Sequence, residues 1–313
     1  MQVLQNQEFK GYLQVFIAGA LWGCIGPFIQ LMEQAGSSTE FTSFLRMTFS
    51  FIILAVITVA KFGLPFLRVS KRTLLFCALL GIVCHGIYNV FYSIAVTLTG
   101  VTVSAVLMNT APVFTALASC FWLREKITWI KAAAMIANVT GCALVATGGQ
   151  VDAMLFSLTG ILCGIASGFC YGMTAIIGKL AGEKSNAFVI STYSYLFAAV
   201  FLGVFMNPWE QAALWNNKSV LLLGFLYALI PTAIAYIFYY QGLQKITESS
   251  KVPVIASVET VIAAVIGVAI FKEQVGTVNL IGIFLVIGSI ILMNQDLSGF
   301  RSLNDSRQTS GMG

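Results

Sequence analysis

Glu259 is the residue that most needs a chemical explanation. It is the twelfth residue of an apolar stretch running from 248 to 271, and a charged group at the centre of a membrane helix costs about 2.5–3.5 kcal/mol on translocon scales. A carboxylate there must pair, titrate or meet a cation, unless it is protonated and hydrogen-bonded to a neighbouring helix. His85, the only histidine, is followed by Tyr88, Asn89 and Tyr92 at i+3, i+4 and i+7, which places all four on one helical face. A polar and aromatic stripe of this kind belongs against a cavity or another helix rather than lipid, and Tyr236 and Tyr240 repeat it later in the chain. Arg46 is the seventh residue of its own apolar run, roughly 9–10 Å from the run's start at 1.5 Å per residue. It either snorkels outward or pairs with an acidic side chain or a substrate carboxylate. Asn109 and Pro112 fall in mid-run, where the proline frees a backbone carbonyl and bends the helix.

Trp22 and Tyr171 sit among small residues, Gly19-x-x-x-Gly23 in one place and Gly164-x-x-x-Gly168-x-x-x-Gly172 in the other. The glycines read as close helix packing, which leaves the two rings pointing inward as a cavity wall. The candidate binding residues are therefore Trp22, Arg46, His85, Tyr88, Asn89, Tyr92, Asn109, Tyr171, Tyr236, Tyr240 and Glu259. No second histidine, and no Cys or Asp set, stands at ligand spacing, so neither a metal nor a cofactor is expected.

The elements that must hold these residues are membrane helices. Of 313 residues 58% are hydrophobic and only 9% charged, against roughly 25% charged in soluble domains, and 17 basic with 12 acidic residues cannot coat a soluble globule. Apolar runs at about 11–34, 40–62, 73–97, 101–123, 127–147, 155–181, 186–207, 219–245, 248–271 and 275–294 predict ten spans. The first is long enough to cross and lacks a cleavage pattern, so it reads as a helix and not a removed signal. With residues 1–10 cytoplasmic, fourteen Lys and Arg fall inside and only Lys218 and Lys272 outside, the bias expected of both termini in the cytoplasm. The polar tail 295–313 predicts disorder. The basic residues form no continuous stripe, which excludes nucleic acid. All seven cysteines lie in apolar runs without a CxxC pair and read as buried thiols. Loops this short leave no room for a soluble catalytic domain.

The two halves match. A shift of 148 residues lays Phe121-Trp-Leu-Arg124-Glu125 on Ala269-Ile-Phe-Lys272-Glu273 and pairs Tyr88 with Tyr236 and Tyr92 with Tyr240; a shift of 149 pairs Trp22-Gly23 with Tyr171-Gly172. Two repeats of five helices, 11–147 and 155–294, carry an odd number each, so the second copy enters from the opposite side. The fold class is thus an all-α integral membrane protein of ten transmembrane helices in two inverted five-helix repeats.

The Trp22-Gly23 pair, Arg46, Pro112-Val-Phe with Glu125 thirteen residues on, and Glu259-Thr-Val followed by Glu273 resemble the EamA family of the drug/metabolite transporter superfamily over about residues 11–294. Where that family commonly has Glu-Pro-Val, this chain has Glu259-Thr260-Val261. Arg124, Glu125 and Lys126 read as an interfacial salt-bridge cluster, although Glu125 and Glu273 match a family position. The resemblance implies a multi-pass protein of the plasma (inner) membrane, a secondary transporter that moves a small organic metabolite, an amino acid or related compound, by alternating access and as efflux. A facilitative uniporter, an exchanger or an importer stays open beside it. Its partners are then a small-molecule substrate and membrane lipid; the sequence specifies no oligomeric state. No Walker-type loop is present. A lipid-modifying enzyme would need several acids, histidines or metal ligands converging near the interface, and a channel a ring of like charge.

Overall fold

The computed structural model describes residues 2–149, 157–183, 185–272 and 276–295. Lys184, Glu273 and the tail with Arg301 and Arg307 lie outside the described residues. Helix is the regular structure throughout, with no strand among the described residues, as it must be where no water is at hand for backbone groups. The first span is α1 (Gln2–Trp22) and α2 (Ile25–Gln34), broken at Gly23–Cys24; α3 is Thr39–Phe62. α4 (Lys71–Leu79) continues through a π-helical stretch, Leu80–Ile87, into α5 (Tyr88–Met108), followed by α6 (Ala111–Ala118) and α7 (Trp129–Thr147). The second half is α8 (Leu158–Gly182), α9 (Ala187–Phe205), α10 (Lys218–Ala228), a π-helical Leu229–Ile234, α11 (Ala235–Lys245), α12 (Val252–Ala256), α13 (Val258–Phe271) and α14 (Thr277–Gln295). Among the described residues eight continuous helical stretches are long and apolar enough to cross a membrane, and Ala111–Leu123 and Thr277–Met293 are shorter apolar ones.

Capping chemistry sets six of the starts. Ser38, Ser70, Thr128, Ser157, Asn186 and Asn217 each accept a backbone N–H from the first turn that follows, filling donors that have no intrahelical partner. Boundaries differ from the sequence expectation in two places. α1 begins at Gln2, inside the segment read as an N-terminal extension. The runs 73–97 and 101–123, expected as separate spans, meet through helix that turns only at Gly100, whose φ of 79° suits a residue without Cβ. The deeper break comes at Asn109 and Thr110, just before Pro112.

Backbone irregularities carry the repeat as clearly as side chains do. Asn109 and Ser257, 148 residues apart, each end one helix before another begins. The π-helical stretches start 149 residues apart, and Arg124 and Lys272, again 148 apart, are both left-handed helix caps with φ of 54° and 55°. Helices from the two halves pack against each other: α1 on α11 and α12, α3 on α9, α5 on α8, α7 on α14. Small residues permit this. A Cβ on Gly19 would stand 2.4 Å from the Ala256 carbonyl oxygen, and one on Gly168 would stand 2.8 Å from that of Leu107. All seven cysteines are free, and Cys77, Cys84, Cys142 and Cys170 are buried.

Candidate functional site

Between the halves lies a cavity of about 640 Å³, within the roughly 300–1,000 Å³ usual for small-molecule sites. Its floor is aromatic. The Trp22 ring, set at the end of α1 where the span breaks, lies 4.9 Å from Tyr236, 5.2 Å from Tyr239 and 6.1 Å from Tyr171. Tyr88 and Tyr92 stack at 5.9 Å along one wall, and the Tyr88 hydroxyl donates to Met108 Sδ at 3.0 Å. The mouth is formed by helix ends, with Glu33, Thr39, Thr102 and Asn279 among its lining residues. Below the floor Tyr12, Val15, Ala18, Tyr240, Leu243 and Ile255 pack into one buried core.

Arg46 lines the cavity and does not snorkel outward. Its Nη1 donates to the Tyr227 hydroxyl at 2.9 Å and its Nη2 to Asn89 Oδ1 at 3.4 Å, while the guanidinium carbon lies 5.1 Å from the Tyr227 ring centre. Asn89 is itself oriented: its amide donates to the His85 carbonyl, and its Oδ1 also accepts from Ser43 at 3.3 Å. Phe28 stacks on Tyr227 at 5.5 Å with the rings nearly parallel. Arg46 Nε is buried with no partner, and no carboxylate among the described residues pairs with this cation. A buried cation held by neutral groups has capacity left for an anion.

Glu259 lines the same cavity. It is the second residue of α13, so the break at Ser257 sets its carboxylate at a fresh helix start, where the helix dipole favours negative charge. Among the described residues Glu259 has no hydrogen bond or ion pair, and none joins it to Arg46. One cavity thus holds a guanidinium and a carboxyl group that do not pair with each other.

Nine of the eleven expected residues line the cavity: Trp22, Arg46, Tyr88, Asn89, Tyr92, Asn109, Tyr171, Tyr236 and Glu259. His85 and Tyr240 stand behind the wall. His85 is 2% exposed and stacks on Tyr195 at 5.0 Å and edge-on to Tyr236 at 5.1 Å, so it positions a lining ring. Tyr240 is fully buried against Tyr236 and Tyr239. Sequence reasoning missed Tyr227, which holds Arg46. Nine residues separate it from Tyr236, which in an ideal α-helix means opposite faces; the wider π turn at Leu229–Ile234 changes the phase and brings both to the cavity.

The end opposite the mouth is strapped shut by residues 246–251. Glu248 bridges Lys131 at 2.6 Å and Lys251 at 2.7 Å, and both lysines are buried. Burial alone would raise the Glu248 carboxyl, but the two ammonium groups outweigh it and hold it below the usual carboxylate range. Glu125, expected in a salt bridge with its neighbours, instead accepts from Ser249 N, Ser250 N and the Ser250 hydroxyl. Among the described residues no group of three His, Cys, Asp or Glu stands ready to hold a metal ion.

The sequence profile of the EamA-like transporter family matches twice, over residues 9–147 and 158–295. An uncharacterized transporter of Clostridium kluyveri is 25% identical, covering 96% of this chain and 97% of its own length. An uncharacterized inner membrane transporter of Salmonella typhimurium is 22% identical over 92% of this chain and 96% of its own. A probable sugar phosphate/phosphate translocator of Arabidopsis thaliana is 23% identical over 74% and 73%. A solved structure, described only as the crystal structure of a protein, superposes with a TM-score of 0.73 over 90% of this chain and 96% of that one at 15% identity, which shows a shared fold.

Proposed function

The chain belongs to the EamA-like transporter family, and from that premise we propose that it is a secondary carrier for a small dipolar metabolite, an amino acid or close relative. It works by alternating access from a site between two inverted repeats of five helices each, 11–147 and 155–294. The carrying observation is the pairing of Arg46 and Glu259 in one aromatic-walled cavity without an ion pair between them. A substrate carboxylate on Arg46 and an ammonium group toward Glu259 would neutralise both, and the tyrosine and tryptophan faces suit an ammonium or an apolar side chain.

Helix directions support the inverted arrangement. α1 starts at the strapped end, where Glu8 accepts from Thr247 N, whereas α8 finishes there, with Lys179 donating to the Ile246 carbonyl. α3 starts at the mouth with Thr39; α9 starts near the strap, where the Ser185 carbonyl accepts from Gln244. α7 starts at the strap with Lys131 and α14 near the mouth with Asn279. The charge bias then makes the strapped end cytoplasmic, in the plasma (inner) membrane of a cell, with both termini inside. Export as the direction rests on the family resemblance alone. Transport by this design involves no bond-making, so the protein is no enzyme, and uniport or exchange remains the alternative to proton coupling. A sugar phosphate fits less well, since it brings at least one more negative charge into a cavity that already holds a carboxylate.

Binding tests the reading directly. Trp22 fluorescence of the purified protein, with Trp22→Phe as the blank for the other tryptophans, should respond to zwitterionic amino acids. The matched amine and the matched acid, each lacking one pole, should bind at least about tenfold more weakly. Equal affinity for all three would overturn the dipolar site.

A further inference from the structure

We propose that Glu125 is the gating residue of the cytoplasmic mouth: its carboxylate holds the mouth shut by capping the chain that leads into α12, across the boundary between the halves. The proposal rests on the alternating-access reading above. Glu125 Oε1 accepts from Ser249 N at 2.6 Å, and Oε2 accepts from Ser250 N at 3.1 Å and Ser250 Oγ at 2.8 Å. These amides open the run of helix that continues into α12, so their N–H groups have no intrahelical acceptor and a carboxylate satisfies them well. Glu125 follows the left-handed cap at Arg124, and its own backbone N–H is tied to the Ser119 carbonyl at 3.1 Å, so the carboxylate is presented from a fixed corner of the first half.

Two facts make this a gate rather than ordinary packing. First, the capped chain is a short lever on the site. Only α12, five residues long, separates the strap from the break at Ser257 and from Glu259 in the first turn of α13. A substrate that engages Glu259 acts on the same piece of backbone that Glu125 grips. Second, the repeat leaves the same place exposed at the other end. The residues 148 positions before Ser249 and Ser250 are Val101 and Thr102, which follow the turn at Gly100 and line the open mouth. Val101 is 65% exposed, whereas Ser249 is 0% and Ser250 2% exposed. One construction, repeated in opposite senses, is closed at one end of the molecule and open at the other, as alternating access requires of a single state.

Thiol accessibility tests this without any substrate. Ser249→Cys is a mild probe, because the Ser249 hydroxyl makes no hydrogen bond and Glu125 grips only its backbone N–H. In inside-out vesicles a membrane-impermeant maleimide should label Ser249→Cys slowly, read above the parent chain with its seven cysteines. Adding Glu125→Gln should raise the rate at least about tenfold, since it exchanges charge-assisted hydrogen bonds for neutral ones. Glu125→Asp, which keeps the charge but shortens the reach, should fall between and serves if Glu125→Gln does not reach the membrane. Thr102→Cys, labelled from the opposite side, should become slower in the Glu125→Gln background. An unchanged Ser249→Cys rate overturns the gate whatever transport does. Faster Ser249→Cys labelling with unchanged Thr102→Cys labelling upholds the gate and overturns the alternating-access reading beneath it.

Discussion

At the residue scale the account depends on how Arg46 is held. A guanidinium bonds Tyr227 and Asn89 at once and still has Nε free, a division of labour that a point-like ammonium cannot reproduce. Arg46→Lys should therefore weaken zwitterion binding by about 1.5–3 kcal/mol, the worth of a charged hydrogen bond, read as Kd by Trp22 fluorescence; undiminished affinity would mean the anion docks elsewhere. Glu259→Gln keeps the shape and removes the titration. A proton-coupled carrier should then lose accumulation driven by a pH gradient while substrate exchange persists at lower affinity, and full gradient-driven uptake by that variant would move coupling off this carboxylate. Both residues were legible in the sequence because a charge inside an apolar run has few reasons to be there. His85 and Tyr240 were legible as polar positions but not as second-row ones, since a helical stripe gives a face and not a depth. Tyr227 escaped because the π turn breaks the periodicity on which such counting depends.

At the element scale, contacts across the halves are close enough that one methyl group matters. Gly19→Ala would put a Cβ 2.4 Å from the Ala256 carbonyl, a backbone atom that cannot swing away. The variant should lose about 1–3 kcal/mol, the usual cost of overpacking, seen as a lower thermal midpoint in detergent; an unchanged midpoint would mean α1 and α12 are looser than described. The strap has its own dependence on pH. Glu248 faces Lys131 and Lys251, with Glu125, Lys179 and Glu8 on the elements around the loop. Its carboxyl is lowered in the folded protein, so its contribution is fully present above the unfolded value of about 4.3 and is lost as pH falls through the folded one. Hydrogen exchange in residues 246–251, corrected for intrinsic rates, should show constant protection from pH 8 down to about pH 5 and loss well below 4; loosening on going from pH 5 to 8 would contradict the pairing. Periodicity and charge revealed the apolar runs, but not where they break. Ser257 breaks its span without a proline, and nothing local in Ser-Val-Glu announces it; only the partner position Asn109, 148 residues earlier and next to Pro112, hints at it.

At the scale of the whole molecule, a chain that matches one family profile twice encloses a cavity between the two matched regions, with one end open and the other strapped. The repeat was readable from side chains at a nearly constant offset, and the backbone caps at Arg124 and Lys272 repeat it independently. Which end stands open was not readable, because both ends carry the same construction; among the described residues the contacts of Glu125 and Glu248 mark the strapped one. The central claim is that this cavity carries a dipolar metabolite across the membrane, and counterflow tests it most directly. Proteoliposomes loaded with an excess of unlabelled amino acids should transiently accumulate a labelled zwitterion from a dilute external solution, saturably, with little accumulation by the Arg46→Lys variant. Flux that rises linearly with concentration, or no counterflow for any zwitterion in a full amino-acid panel, would contradict the account.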